Sequence, residues 1–202
     1  MSFRVFLVIA FVVCSAQQVC AERVQWSTAQ GGNGHWYEPV QSLGIDWWTA
    51  KAAAEAAGGY LATLTSRQED EYVYSLIAND PLMWKYDGVI SWHGPWIGGY
   101  QLLNSEEPAG GWQWVTGENW EYTNWLLYEP NNAVGGTEDR LQYFGRYEKS
   151  DTWNDMVAHG FYVNPGYIIE MDTYVVPEPV TLAGLFCGLA GLGAYVRRRC
   201  AA

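Results

Sequence analysis

Cysteine is missing from the whole middle of this 202-residue chain: its four cysteines, Cys14, Cys20, Cys187 and Cys200, all sit near the two ends. No disulfide can form within residues 21–186, and no cysteine-based zinc site can form there either. Basic charge is scarce as well. Residues 22–179 carry seven Lys and Arg against twenty-two Asp and Glu. That balance argues against nucleic-acid binding, which rests on neutralising phosphates with cationic side chains. The three histidines, His35, His93 and His159, are isolated in sequence and lack the His-Glu-x-x-His spacing of a zinc hydrolase. There is no Gly-x-Ser-x-Gly elbow and no phosphate-cradling glycine loop. The adjacent carboxylates Glu106 and Glu107 read as a solvated loop, since sequence neighbours do not supply the separation a glycosidase needs. No enzyme is indicated.

Long apolar runs occur only at the ends. Residues 1–21 read as a secretory signal: a lone charge at Arg4, an apolar run over 5–13, and the small residues Cys20 and Ala21 at a cleavage point. Residues 176–202 contain Pro177, Glu178 and Pro179, then seventeen uncharged residues over 180–196, then Arg197, Arg198 and Arg199. As a helix that stretch reaches about 26 Å, a short membrane span with the arginines on the cytoplasmic side. The three ordered elements resemble the PEP-CTERM sorting signal of bacteria that make extracellular polysaccharide. The resemblance implies export through the inner membrane, recognition by an exosortase-type membrane protease, and release or attachment at the cell surface. A plain membrane anchor is the alternative.

Between the ends, residues 22–175 are long enough for one domain with its own core. All twelve tryptophans fall between Trp26 and Trp153, and most are expected in packing. Short strands are expected over 24–28 and 34–40, separated by a glycine-rich turn. An alanine-rich helix over 47–57 stops at Gly58-Gly59, and a buried strand follows over 60–64. Thr65 or Ser66 caps a second helix, with Glu69 completing a capping box and Val73, Leu76 and Ile77 on one face. The chain then reads as irregular from Asp80 to Pro95, before a strand at Trp96-Ile97-Gly98-Gly99. Trp112-Gln113-Trp114 is a strand fragment, residues 118–150 read as one long polar loop, and a closing strand spans 166–170.

The chemistry concentrates in that loop and just after it. Glu129-Pro130-Asn131, Glu138 and Trp153-Asn154-Asp155 together offer three carboxylates and two amide carbonyls, with no nitrogen or sulfur ligand nearby. Taken singly, such residues form turns. Together they are a set of hard oxygen donors suited to Ca²⁺ and unsuited to Zn²⁺. The order of elements and of these residues, from Trp47 through Gly58-Gly59-Tyr60-Leu61-Ala62, Trp96-Ile97-Gly98 and Trp112-Gln113-Trp114 to Tyr167 and Glu170, resembles the C-type lectin-like family over about residues 34–172. The resemblance implies an α+β fold: two helices, short antiparallel sheets and a long calcium-binding loop. It implies that Glu129, Asn131, Glu138, Asn154 and Asp155 hold one Ca²⁺ and contact carbohydrate, with Pro130 cis and a mannose-type sugar preferred. The expected partner is a glycan or extracellular polysaccharide. The rival expectation is a protein-interaction or matrix module in which calcium only rigidifies the loop. Vertebrate members carry two disulfides, and the aligned positions here are Ala54 with Ile169 and Arg140 with Ala158. The resemblance therefore implies a disulfide-free version that relies on packing.

Overall fold

The computed structural model describes residues 22–133, 137–159 and 163–174. The expected signal segment and sorting tail, including Pro177 to Pro179 and the three terminal arginines, lie outside the described residues. Among the described residues no helix is long and apolar enough to cross a membrane. The described residues through Asp172 form one compact unit.

Two helices sit early in the chain, as their capping residues dictate. Helix α1 (Trp47–Ala56) starts at Asp46, whose carboxylate accepts from the Thr49 amide at 2.9 Å and the Thr49 hydroxyl at 2.7 Å. It stops before Gly58, whose φ of 86° no bulkier residue adopts readily. Helix α2 (Arg67–Ile77) starts at Ser66, whose Oγ accepts from the Glu69 amide at 3.2 Å. The expected capping box is shifted by one residue: Glu69 reaches back to the amide of Thr65 at 2.7 Å instead of that of Ser66.

The strands form one mixed sheet rather than separate antiparallel ones. Strand β1 (Val24–Gln25) pairs with β2 (Trp36–Gln41), and β2 runs antiparallel to β9 (Gly166–Met171), so the two ends of the domain close on each other. Strand β9 also pairs with β3 (Tyr60–Leu61) and meets β5 (Ser91–Gln101) in parallel at Trp96 and Tyr167. Strand β5 carries β4 (Lys85–Tyr86) and β6 (Trp112–Trp114), and pairs antiparallel with β7 (Arg140–Arg146). Strand β8 (Trp153–Met156) completes the path on β7.

Two sequence expectations are corrected here. The stretch from Asp80 to Pro95 is not irregular: Pro81–Met83 is a 3-10 turn, and β4 folds back on the start of β5. Asp87 makes that hairpin, its Oδ1 accepting from the amides of Val89, Ile90 and Ser91 beside Gly88 at φ 87°. The loop expected over 118–150 also ends early, because Arg140–Arg146 is a central strand that is almost wholly buried. It was hidden in sequence because it mixes Arg140 and Gln142 with apolar residues; Gln142 contacts His93 and Asn164, and Arg140 lies over Trp47 and Trp48.

The core joins α2, the sheet and the aromatic loop through Leu64, Val73, Ile97, Trp114, Leu141, Tyr143 and Trp153. The positions aligned with the family's disulfides are filled by packing. Ala54 and Ile169 are both buried, and the Trp47 amide donates to the Ala158 carbonyl at 2.9 Å while the Arg140 guanidinium stacks 4.8 Å from the Trp47 ring. Helix α1 thus contacts both members of the second pair. Close approach of β5 to β3 requires Gly98, where a Cβ would lie 2.5 Å from the Leu61 carbonyl oxygen. Gly98→Ala is expected to destabilise the domain by about 1–3 kcal/mol through overpacking. Calorimetric melting checks this, and an unshifted midpoint contradicts it.

Candidate functional site

The chain between β6 and β7 is anchored before it reaches the site. Trp120 packs 4.5 Å from Trp114, and Trp125 packs 4.9 Å from Trp112, ring centre to ring centre. Asp70, fully buried in the first turn of α2, accepts from the Tyr122 hydroxyl at 3.0 Å and the Asn124 amide at 2.9 Å. Its other oxygen accepts from Tyr143 at 2.7 Å and from the Trp153 indole at 3.4 Å. The Leu126 amide then donates to the Trp153 carbonyl at 2.9 Å, and the Glu129 amide to the Leu126 carbonyl at 2.8 Å. These links bring Glu129 beside β8, where Asn154 and Asp155 lie in register with Gln142 and Leu141. The Glu129–Pro130 bond is cis, as expected.

Four of the five predicted residues gather around the turn at 129–133. The Asp155 carboxylate accepts from the Asn131 amide at 3.1 Å and from the Asn132 amide at 2.7 Å. The Ala133 amide donates to Asn131 Oδ1 at 2.9 Å and also to Glu138 Oε2. The Glu129 carboxyl lies close enough to Asp155 to feel its charge. Asn154 is adjacent but turned inward, its side-chain amide donating to the Asp155 carbonyl. Two further residues were not singled out in sequence. Asn132 accepts from the Glu138 amide at 3.1 Å, and Arg146 lies 3.7 Å from Glu129. Asn132 could have been found as the next side chain after the triplet; Arg146 gave no local signal, because β7 delivers it.

The electrostatics are those of a site short of positive charge. The Glu129 side chain is 2% exposed, Glu138 4% and Asp155 0%. Burial, and then the neighbouring Asp155 charge, push the Glu129 carboxyl up to about 8 against the opposing pull of Arg146. Burial also raises Asp155, while the amides of Asn132 and Asn131 oppose the rise. Glu129 Oε2 is buried without a hydrogen-bond partner. Gathering buried carboxylates around an orphaned oxygen is costly unless a cation supplies the missing partner. An all-oxygen donor set of this kind fits a hard divalent ion.

His35, isolated in sequence, meets Glu69 and Glu170, and their ligand-type atoms lie within 4.8 Å of one another. Unlike Glu129, these carboxylates are fully engaged by the protein. Glu170 takes His35 Nδ1 at 2.6 Å on one oxygen and the Thr63 amide at 2.8 Å on the other. Glu69 takes the Tyr37 hydroxyl at 2.6 Å and Asn33 at 2.7 Å on one oxygen, and Thr65 on the other. This cluster ties β2, β9 and α2 together without needing an ion.

No family model matches the chain. Among curated proteins it is similar to lectin BRA-3 of Megabalanus rosa (27% identity over 128 residues, 62% of this chain and 66% of that protein). It is also similar to a perlucin-like protein of Mytilus galloprovincialis (31% over 119 residues, 57% and 65%) and to halomucin of Haloquadratum walsbyi (29% over 168 residues, 74% and 2%). The chain spans less than two thirds of the length of each. Among solved structures, the cow CD23 carbohydrate-recognition domain, determined in the presence of a GlcNAc2Man3 oligosaccharide, aligns with a TM-score of 0.53 at 20% identity, covering 70% of this chain and 90% of that domain. A calcium-independent type II antifreeze protein aligns with a TM-score of 0.51 at 20% identity, covering 69% and 87%. With two helices on a mixed, open sheet and these neighbours, the chain has the C-type lectin-like fold that its sequence led us to expect.

Proposed function

We propose that this protein is an exported, calcium-dependent carbohydrate-binding protein. Glu129, Asn131, Glu138, Asn154 and Asp155 hold one Ca²⁺, and a mannose-type glycan completes the ion's shell with its own hydroxyls. The observation that carries this reading is the buried, partnerless oxygen of Glu129 beside Asp155, among donors that are all oxygen. The likeness to lectin BRA-3 and to a domain solved with a mannose-containing oligosaccharide supports the sugar. Export by the N-terminal signal, followed by exosortase-type processing of the PEP-CTERM tail, places the domain at the cell surface or in extracellular polysaccharide.

A second reading keeps the metal as a rigidifier of the loop in a protein-interaction or matrix module. A calcium-independent antifreeze protein with the same fold shows that the architecture stands without a metal-dependent role. Glycan-array capture separates the two. The lectin reading expects signal on mannose-type glycans in calcium and its loss in chelator; signal that survives chelation, or none at all, contradicts it.

A further inference from the structure

A half-open groove of about 560 Å³ lies at the start of β7, with Trp48, Tyr100, Leu103, Asp139, Arg140 and His159 among its walls. Its size falls within the range of small-ligand sites. Its floor is the guanidinium of Arg140, 4.3 Å from the Trp48 ring and 6.0 Å from that of Tyr100. Arg140 Nε is buried without a hydrogen-bond partner, and Nη1 is held by Asp139 at 2.9 Å. The cation is thus fixed by stacking on one side and by a carboxylate on the other, and it holds Trp48 in place. Yet Trp48 is 51% exposed and Leu103 86% exposed. The domain leaves large apolar side chains in water beside a rigid, partly polar floor.

The lining of the groove adjoins the proposed calcium ligands along the chain at two points. Asp139 directly follows Glu138, and Val157 comes two residues after Asp155, a distance of about 6–7 Å along extended chain. A neighbouring sugar residue covers such a reach. A pyranose ring offers an apolar C–H face to Trp48 and Leu103 and a rim of hydroxyls to Asp139 and His159, which matches the mixed lining.

We infer that this groove is a second sugar subsite, which takes the residue adjoining the metal-bound one, so that the preferred ligand is an oligosaccharide or polysaccharide rather than a single terminal sugar. The inference rests on the calcium-dependent lectin reading. Calorimetric titration of the full chain with methyl α-mannoside and with α-linked mannotetraose, both in calcium, tests it. The tetrasaccharide is expected to bind about tenfold more tightly than the mannoside. Trp48→Ala should erase that advantage, and Leu103→Ser should reduce it about threefold, both leaving mannoside affinity unchanged. Trp48 packs 5.1 Å from Trp47 and so has a structural share; Leu103, exposed in a loop, carries the test if that variant fails to fold. Equal affinities for the two ligands, or an advantage undiminished by Leu103→Ser, overturn the subsite while leaving the lectin reading intact. Absence of mannoside binding in calcium overturns the lectin reading itself, and the subsite with it.

Discussion

Asp70→Ala is expected to lower the stability of the domain by about 3 kcal/mol, a fall of roughly 6–12 °C in the melting midpoint for a domain of this size. The carboxylate accepts four hydrogen bonds, from Tyr122, Asn124, Tyr143 and Trp153. Alanine leaves all four donors facing each other. The Tyr143 hydroxyl and the Trp153 indole are enclosed in the core, where water cannot replace the lost acceptor. Asp70→Asn keeps an acceptor oxygen in place and should lose less than half as much. Thermal denaturation of the three proteins checks the order, and an alanine variant that melts with the wild type refutes the tether.

The same residue predicts a pH dependence. Burial raises the Asp70 carboxyl from 3.8 to about 6 despite the hydrogen bonds that favour its charge. The folded state therefore holds this proton more tightly than the unfolded chain does. The stability it contributes is fully present below pH 4 and is lost as pH rises through about 6, a change of roughly 3 kcal/mol. Asp70→Asn should flatten that part of the stability profile in denaturant titrations between pH 4 and 7.

Glu129→Gln is expected to separate metal binding from stability. In wild type, free calcium at a hundred times its dissociation constant should stabilise the domain by about 2.7 kcal/mol, because the ion binds only the folded site. That gain corresponds to roughly 5–11 °C. In the variant the gain should vanish, since glutamine cannot supply a charged oxygen in a site whose other carboxylates already crowd one another. Without calcium, the variant should melt close to the wild type: Glu129 Oε2 has no hydrogen bond to lose, and one source of repulsion with Asp155 is gone. Melting curves with calcium and with chelator give all four values. A variant that is weaker in both, with its calcium response intact, would make Glu129 a structural residue rather than a ligand.

What could be read from the chain followed from how local each signal was. Ser66 acts through the amide of Glu69 one turn on, and Gly58 takes a positive φ, so the start of the second helix and the end of the first were legible. Glu129, Asn131 and Asp155 were legible as an ordered set, and the sheet does bring them together. Strand β7 was not, because Arg140 and Gln142 are made acceptable inside the sheet by Trp47, Trp48, His93 and Asn164, partners far away in sequence. Asp70 likewise looked like an ordinary acidic residue in the first turn of a helix, where the helix dipole favours it. Its role as the anchor of the loop appears only when Tyr122, Asn124, Tyr143 and Trp153 converge on it. Arg146 joined the site in the same way.

The claim on which the others depend is that one cation and one sugar share this site. Thermodynamic linkage makes it measurable: if the sugar completes the ion's shell, each must tighten the other's binding by the same factor. Calorimetric titration of Ca²⁺ into metal-free protein, with and without saturating methyl α-mannoside, should give one ion per chain and a dissociation constant that falls when the sugar is present. No binding of calcium, or the same constant with and without the sugar, would contradict it.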